Sequence, residues 1–389
     1  MWTAVAGGGG LLGMYLSAVL VDLASWRWLF VLPVALVVVA IGMTLRSVPN
    51  SREESEHGFD TIGSLLSVIA VIALVFVLHE GPGRGWTAPV TLLGLLVGVI
   101  AAVGFVAWEL RRRAPLLDVR LFRERGLASG SVASLAFFGV QAGVFVVVFP
   151  YFQAVLGGSG LNSTLALMPM ALLMMFASGL APRVAARIGG RSTMASGALL
   201  GGAGLALMAA LVSVDGGYLA VLPGMLAMGL GMGLTMTPST EAITTALPRA
   251  RQGVASALND VTREFGTALG IALLGVVLSA GYRGAIDSRL DGVPDDAADT
   301  AREGIANALA AAHESGSQAL TTAAQESFVD GWQQAMWAGV AVMAVLFVYV
   351  LARGPQRAPT RHRRECPTSD AITRCAQRRL NNPATEAGV

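Results

Sequence analysis

Lysine is absent from the 389 residues, so all 27 basic side chains are arginine and arginine alone reports which ends of the chain face which side. Charged residues make up only 13% of the chain, too few for the solvated surface of an ordinary water-soluble domain of this size. Only two cysteines occur, Cys366 and Cys375, both in the C-terminal tail. With that tail read as cytoplasmic, a disulfide is not expected, and their spacing with His362 fits no zinc pattern. The four histidines, His57, His79, His313 and His362, lie in loops or at helix ends with no nucleophile or carboxylate at motif spacing. No phosphate-cradling loop or metal-ligand cluster occurs, which argues against an enzyme and against an ATP-driven pump. The net charge of +2 gives no reason to expect a nucleic-acid partner, because its positive part falls in segments expected at the cytoplasmic membrane surface, where anionic lipid attracts it. The first apolar run has no basic leader, so no cleavable signal peptide is expected.

What the chain has in abundance is apolar residues, 54% of the total. They fall into ten runs of roughly twenty, the length an α-helix needs to cross a bilayer core of about 30 Å. The expected spans are 3–21, 28–45, 61–79, 87–108, 128–152, 161–181, 193–213, 217–238, 254–279 and 333–352. Hydrocarbon leaves no water to satisfy backbone groups, so these runs must be helical. The fold class is therefore all-α, a polytopic transmembrane bundle.

Arginine sets the orientation. With both termini inside, the inner loops and tail hold Arg46, Arg52, the group from Arg111 to Arg125, Arg183, Arg187, Arg191, Arg249, Arg251 and the tail arginines. The outer loops hold Arg27, Arg84, Arg283, Arg289 and Arg302. This asymmetry obeys the positive-inside rule and predicts a multi-pass protein of the cell (inner) membrane with cytoplasmic ends. Four regions are expected: a pair of spans in 1–46, a central pair with its basic loop in 47–126, a six-helix unit in 127–353, and a disordered cytoplasmic tail in 354–389. The polar stretch 280–331 reads as an outer loop with a short amphipathic helix over 297–312.

Four motifs in order carry a family resemblance. They are Trp26-Arg27-Trp28-Leu29-Phe30, Asp118-Val119-Arg120-Leu121-Phe122, Pro150-Tyr151-Phe152-Gln153, and Gly253-Val254-Ala255-Ser256-Ala257-Leu258-Asn259-Asp260 followed by Arg263, Glu264 and Gly270. Together they resemble the entry to the sixth helix, the approach to and end of the ninth, and the thirteenth helix of the fourteen-helix drug/proton antiporter branch of the major facilitator superfamily. The resemblance covers roughly residues 7–352 and implies efflux of lipophilic, often cationic, small molecules in exchange for protons, with the proton gradient in place of a cofactor. It also implies that the family's first four helices have no counterpart here, so the N-terminal bundle is incomplete. On that basis the chain is expected to be an N-terminally truncated form that does not transport alone; the alternative is a membrane binding or scaffold protein completed by a partner supplying the missing helices. The family's fifth-helix motif G-P-x-x-G-G is reduced to Gly13-Met14-Tyr15-Leu16-Ser17-Ala18, so neither its bend nor its close packing is expected. The stretch Gly179–Arg191, with Pro182, Arg183 and Arg187, reads either as a degenerate second copy of the family's glycine–arginine loop, whose glycines permit a tight cytoplasmic turn, or as an ordinary positive-inside loop.

Three groups of residues are candidates for transport chemistry. Asp260, Arg263 and Glu264 sit at i, i+3 and i+4 on one helical face, with Arg263 roughly 15 Å beyond Gly253. A charge at mid-membrane costs about 2.5–3.5 kcal/mol on insertion scales, so such a group faces a cavity or a partner. It serves either to couple protons or gate the path, or as an ion-pair group inside the cytoplasmic boundary. Phe138, Gln141, Phe145, Phe149 and Phe152 form one stripe, suited to flat lipophilic ligands or to packing between helices. Met225, Met228, Met232 and Met236 form another, open to the same two readings. Gly229 and Gly233 make a G-x-x-x-G pair for close helix contact.

Overall fold

The computed structural model describes residues 27–47, 60–112, 124–247, 252–291 and 293–355, together with Gly9, Gly13, residues 15–17, 19 and 20, Arg120 and Phe122. Every regular element among them is helical. Nine of these helices are long and apolar enough to cross a membrane. The expected span 3–21, the central parts of the two basic loops and the tail from Gln356 lie largely or wholly outside the described residues, and His57, His362, Cys366 and Cys375 with them.

The helices are α1 (Trp28–Ser47), α2 (Thr61–Arg84), α3 (Pro89–Arg111), α4 (Arg125–Pro150), α5 (Gly160–Ile188), α6 (Gly190–Leu211), α7 (Gly217–Thr245), α8 (Gln252–Asp287), α9 (Asp295–Glu303), α10 (Ile305–Ser315) and α11 (Gln318–Arg353). α1 buries none of its residues. α2 and α3 pack on each other, and α2 also touches α8. Asp60 secures one end of this hairpin. Its carboxylate caps α2 by accepting the Gly63 N–H at 3.0 Å, accepts Trp108 Nε1 at 3.1 Å, and lies 3.7 Å from the Arg112 guanidinium. The Gly63 hydrogen bond, aided by Trp108 and Arg112 and opposed by burial, holds the Asp60 carboxyl below the usual carboxylate range.

The remaining long helices form a six-helix unit. α4 packs on α8, α7 and α11, while α7 packs on α6 and α5, and α11 completes the ring against α6 and α8. Lipid supplies no hydrophobic drive for helix association, so small residues that let backbones approach decide the pairing. A Cβ on Gly143 would lie 2.7 Å from the Gly270 carbonyl oxygen, and one on Gly139 would lie 2.8 Å from that of Gly266. The expected Gly229/Gly233 contact is present, because a Cβ on Gly233 would lie 2.5 Å from the Met174 carbonyl oxygen of α5. At the end of the unit nearer α9 and α10, buried aromatic side chains place their polar atoms on backbone carbonyls. Tyr151 Oη donates to Ser213 O at 2.9 Å, Trp332 Nε1 to Met208 O at 3.1 Å, and the two rings stand 4.9 Å apart.

Three expectations about boundaries need correction. First, α5 does not stop near residue 181: it stays helical through Pro182, Arg183 and Arg187, and the turn before α6 is Gly189 alone, at φ +91°. Proline brings no N–H to the Ser178 carbonyl, but Thr237 Oγ1 of α7 donates to it at 3.3 Å instead. Second, 280–331 is helical over most of its length, because α8 runs on to Asp287 and α11 begins at Gln318. Third, the single helix expected over 297–312 is two, divided at Gly304, and they bury Ala298, Ala301, Ile305, Ala308 and Ala312. The alanine-rich face packs inward, and Tyr282 Oη reaches the Ala301 carbonyl at 2.9 Å. Finally, α4 ends in a single π turn, Tyr151–Val155, after Pro150, a widening that periodicity does not signal.

Candidate functional site

α4 has two faces of different character. Phe137, Val140, Val144, Val147 and Val148 are buried in the unit. Phe138, Gln141, Phe145 and Phe149, all from the expected stripe, are half-buried on an adjoining side, and the three phenylalanines also pack against that core. Phe145 and Phe149 stack with ring centroids 6.1 Å apart and planes at 28°. Phe152, the fifth member of the stripe, is buried against Tyr218 at 6.1 Å and leaves the open face.

α8 runs parallel to α4, since Leu135 meets Gly266, Gly139 meets Gly266 and Gly270, and Gly143 meets Gly270 and Leu274. This register sets the charged trio beside the aromatic stripe. Arg263 lays its guanidinium 4.2 Å over the Phe138 ring and reaches the Asp260 carboxylate at 3.9 Å. Asp260 and Glu264 are exposed, and Arg263 is 35% exposed. Two residue sets chosen independently from sequence therefore touch at one point, Arg263 on Phe138, between two parallel helices. A guanidinium on an aromatic face gains about 0.5–1 kcal/mol when exposed and about 2 kcal/mol or more when desolvated. An ion pair this open contributes about 0–1 kcal/mol after solvent screening. The ring is thus at least as important an anchor for Arg263 as the carboxylate is.

The methionines belong elsewhere. Met225, Met228 and Met232 are each 1% exposed, packed inside the unit, and only Met236 is half-buried. α6 and α7 approach closely on this stretch, where a Cβ on Gly204 would lie 2.7 Å from the Met228 backbone nitrogen. Of the antiporter-motif remnant, Gly13 has no neighbour within 4 Å of an added Cβ and Ser17 is half-buried, while Met14 and Ala18 fall outside the described residues.

Sequence reading passed over other polar groups. Asn259 Oδ1 and Ser131 Oγ are buried on α8 and α4 with no hydrogen-bond partner among the described residues. Asn259 stood inside the quoted motif, but only burial distinguishes it from its exposed neighbour Asp260. A groove of about 540 Å³ lies between α8 and α11, lined in part by Gly281, Asp330, Gln333, Gln334 and Trp337. Beside it Arg289 pairs with Asp330 at 2.8 Å and Glu326 at 3.3 Å. Among the described residues no three His, Cys, Asp or Glu side chains converge as metal ligands.

The family model described as "Major Facilitator Superfamily" matches residues 1–271. The chain belongs to the Major Facilitator Superfamily. Within the superfamily it is similar to the multidrug resistance protein Stp of Mycobacterium tuberculosis, 30% identical over 359 residues that cover 90% of this chain and 66% of Stp. It is similar to the multidrug efflux pump LfrA of Mycolicibacterium smegmatis, 26% identical over 347 residues, 89% of this chain and 67% of that pump. The tetracenomycin C resistance and export protein of Streptomyces glaucescens is 30% identical over 283 residues, 72% of this chain and 52% of that protein. The chain thus spans about two thirds of the length of the first two relatives. Gly270, singled out only as a motif residue, has its physical role in this Major Facilitator Superfamily chain: its lack of a side chain lets α8 lie against Gly139 of α4.

Proposed function

We propose that this chain provides one bundle of a proton-coupled exporter of lipophilic, often cationic, compounds, of the fourteen-helix drug/proton antiporter type. The observation that carries the reading is the meeting of Phe138, the first ring of the half-buried α4 stripe, with Arg263 and its counter-ion Asp260 of α8. Aromatic rings bind flat apolar ligands with little geometric demand, and carboxylates beside them accept a positive centre or a proton. Alternating access needs a second bundle rocking against this face. The transport-competent assembly is therefore the pair, whether further chain or a second membrane polypeptide supplies the opposite half. The arginine asymmetry supports an orientation in the cell membrane with the ends of the chain in the cytoplasm.

The test is exchange in vesicles that hold the assembled pair. With an acid interior, wild-type vesicles accumulate ethidium and release protons, and Phe145→Ala together with Phe149→Ala reduces the rate while expression and folding hold. Accumulation driven by ATP, or accumulation indifferent to the proton gradient, contradicts antiport. Exchange indifferent to both phenylalanines contradicts the aromatic face as the path.

A further inference from the structure

The guanidinium of Arg263 occupies the place that a cationic ligand would take on this face. It rests 4.2 Å over Phe138, with Asp260 as its counter-ion at 3.9 Å, and both partners are left partly uncovered by the rest of the six-helix unit. A ring face with a carboxylate beside it is how an organic cation is held, by quadrupole and by charge. Neither contact locks the arginine: the ion pair is at the limit of its range and Asp260 is 61% exposed. Nor is Arg263 buried as a packing element, unlike its neighbours Thr262 and Gly266 on the inward side of α8.

We propose that Arg263 is a tethered competitor for the Phe138 site, so that an organic cation gains the ring by displacing the guanidinium, and Arg263 sets the charge preference of the face. This rests on the reading of that face as a ligand path and adds to it a specificity-determining residue. A competitor held on the same protein acts at high effective concentration, so it weakens every cationic ligand by a constant factor. It does not weaken an anion of the same shape, which its positive charge attracts. If the displaced contact has the strength of a partly desolvated cation–π pair, removal of the guanidinium tightens cation binding about tenfold.

The experiment is equilibrium binding of tetraphenylphosphonium, and of the isosteric anion tetraphenylborate, to the full chain in detergent micelles. Arg263→Ala and Arg263→Gln are each expected to bind the phosphonium about tenfold tighter than wild type and the borate no tighter. In a Phe138→Leu background the arginine substitutions are expected to change nothing. Arg263→Gln retains bulk and hydrogen bonding, so a fall in affinity from lost packing shows in the alanine variant alone. Unchanged or weaker phosphonium binding in both variants overturns the proposal, as does equal tightening of both ions, which reports only cleared space. Binding that needs Phe145 but ignores Arg263 overturns the arginine's role and leaves the face as a ligand site. No phosphonium binding to wild type or to either folded arginine variant overturns the ligand face itself, and this proposal with it.

Discussion

Adding one methyl group to a glycine gives opposite results at two places in the six-helix unit. At Gly143 a Cβ would lie 2.7 Å from the Gly270 carbonyl oxygen and 2.9 Å from Leu274 Cβ. Ordinary contacts begin near 3.4 Å, so Gly143→Ala must push α4 and α8 apart by several tenths of an ångström along their shared seam. Backbone atoms cannot rotate away as a side-chain tip can, and overpacking of this kind costs about 1–3 kcal/mol. At Gly275, on the same helix α8, an added Cβ has nothing within 4 Å, so Gly275→Ala meets no clash. It gains about 0.5–1 kcal/mol from helix preference instead. Thermal unfolding of the purified variants in one detergent, followed by circular dichroism and by size-exclusion chromatography, reads both. Gly143→Ala is expected to melt several degrees below wild type and Gly275→Ala at or above it. Equal shifts for the two substitutions would refute the claim that backbone-to-backbone contact joins these helices.

Further outcomes follow from local chemistry. The folded Asp60 carboxyl titrates below its unfolded value of about 3.9, so its contribution to stability is full above that value and is lost as pH falls through the folded one. Asp60→Asn should therefore lower the melting temperature at pH 6, and the gap from wild type should narrow as pH falls below the unfolded value and through the lower folded one. Gly189 turns the chain from α5 to α6 at φ +91° and ψ 151°, a region open essentially to glycine alone, so Gly189→Ala should cost about 1–3 kcal/mol, read as a lowered unfolding midpoint in denaturant. Tyr151→Phe removes the hydrogen bond to the Ser213 carbonyl while keeping the ring on Trp332, and should cost about 0.5–1.5 kcal/mol by the same assay.

Nine of the expected spans were legible because hydrocarbon admits so few residue types, and helix length follows directly from bilayer thickness. The Phe138–Phe149 stripe was legible from its spacing, and so was the charged trio of α8, because few other charges interrupt these runs. What sequence could not supply was their meeting, which depends on the parallel register that Gly139, Gly143, Gly266 and Gly270 set between α4 and α8. The methionine stripe had the same helical spacing as the phenylalanines yet lies inside the unit, since periodicity identifies a face without saying what it faces. Pro182 looked like the end of a helix because the donor that replaces its missing N–H, Thr237, lies on another helix. The outer segment looked like a loop because its polar residues hid an alanine face that only tertiary packing makes useful.

The central claim is that the half-open side of α4 and α8 is wetted and receives ligand, whereas the adjoining side of α4 that carries Val144 is packed interior. With Cys366 and Cys375 replaced by serine, labelling of Gln141→Cys by a membrane-impermeant cationic thiol reagent tests this most directly, with Val144→Cys as the buried comparison. The account predicts fast labelling at position 141, slowed by tetraphenylphosphonium, and little labelling at position 144. A position 141 as unreactive as 144, or one whose labelling tetraphenylphosphonium leaves untouched, would contradict it.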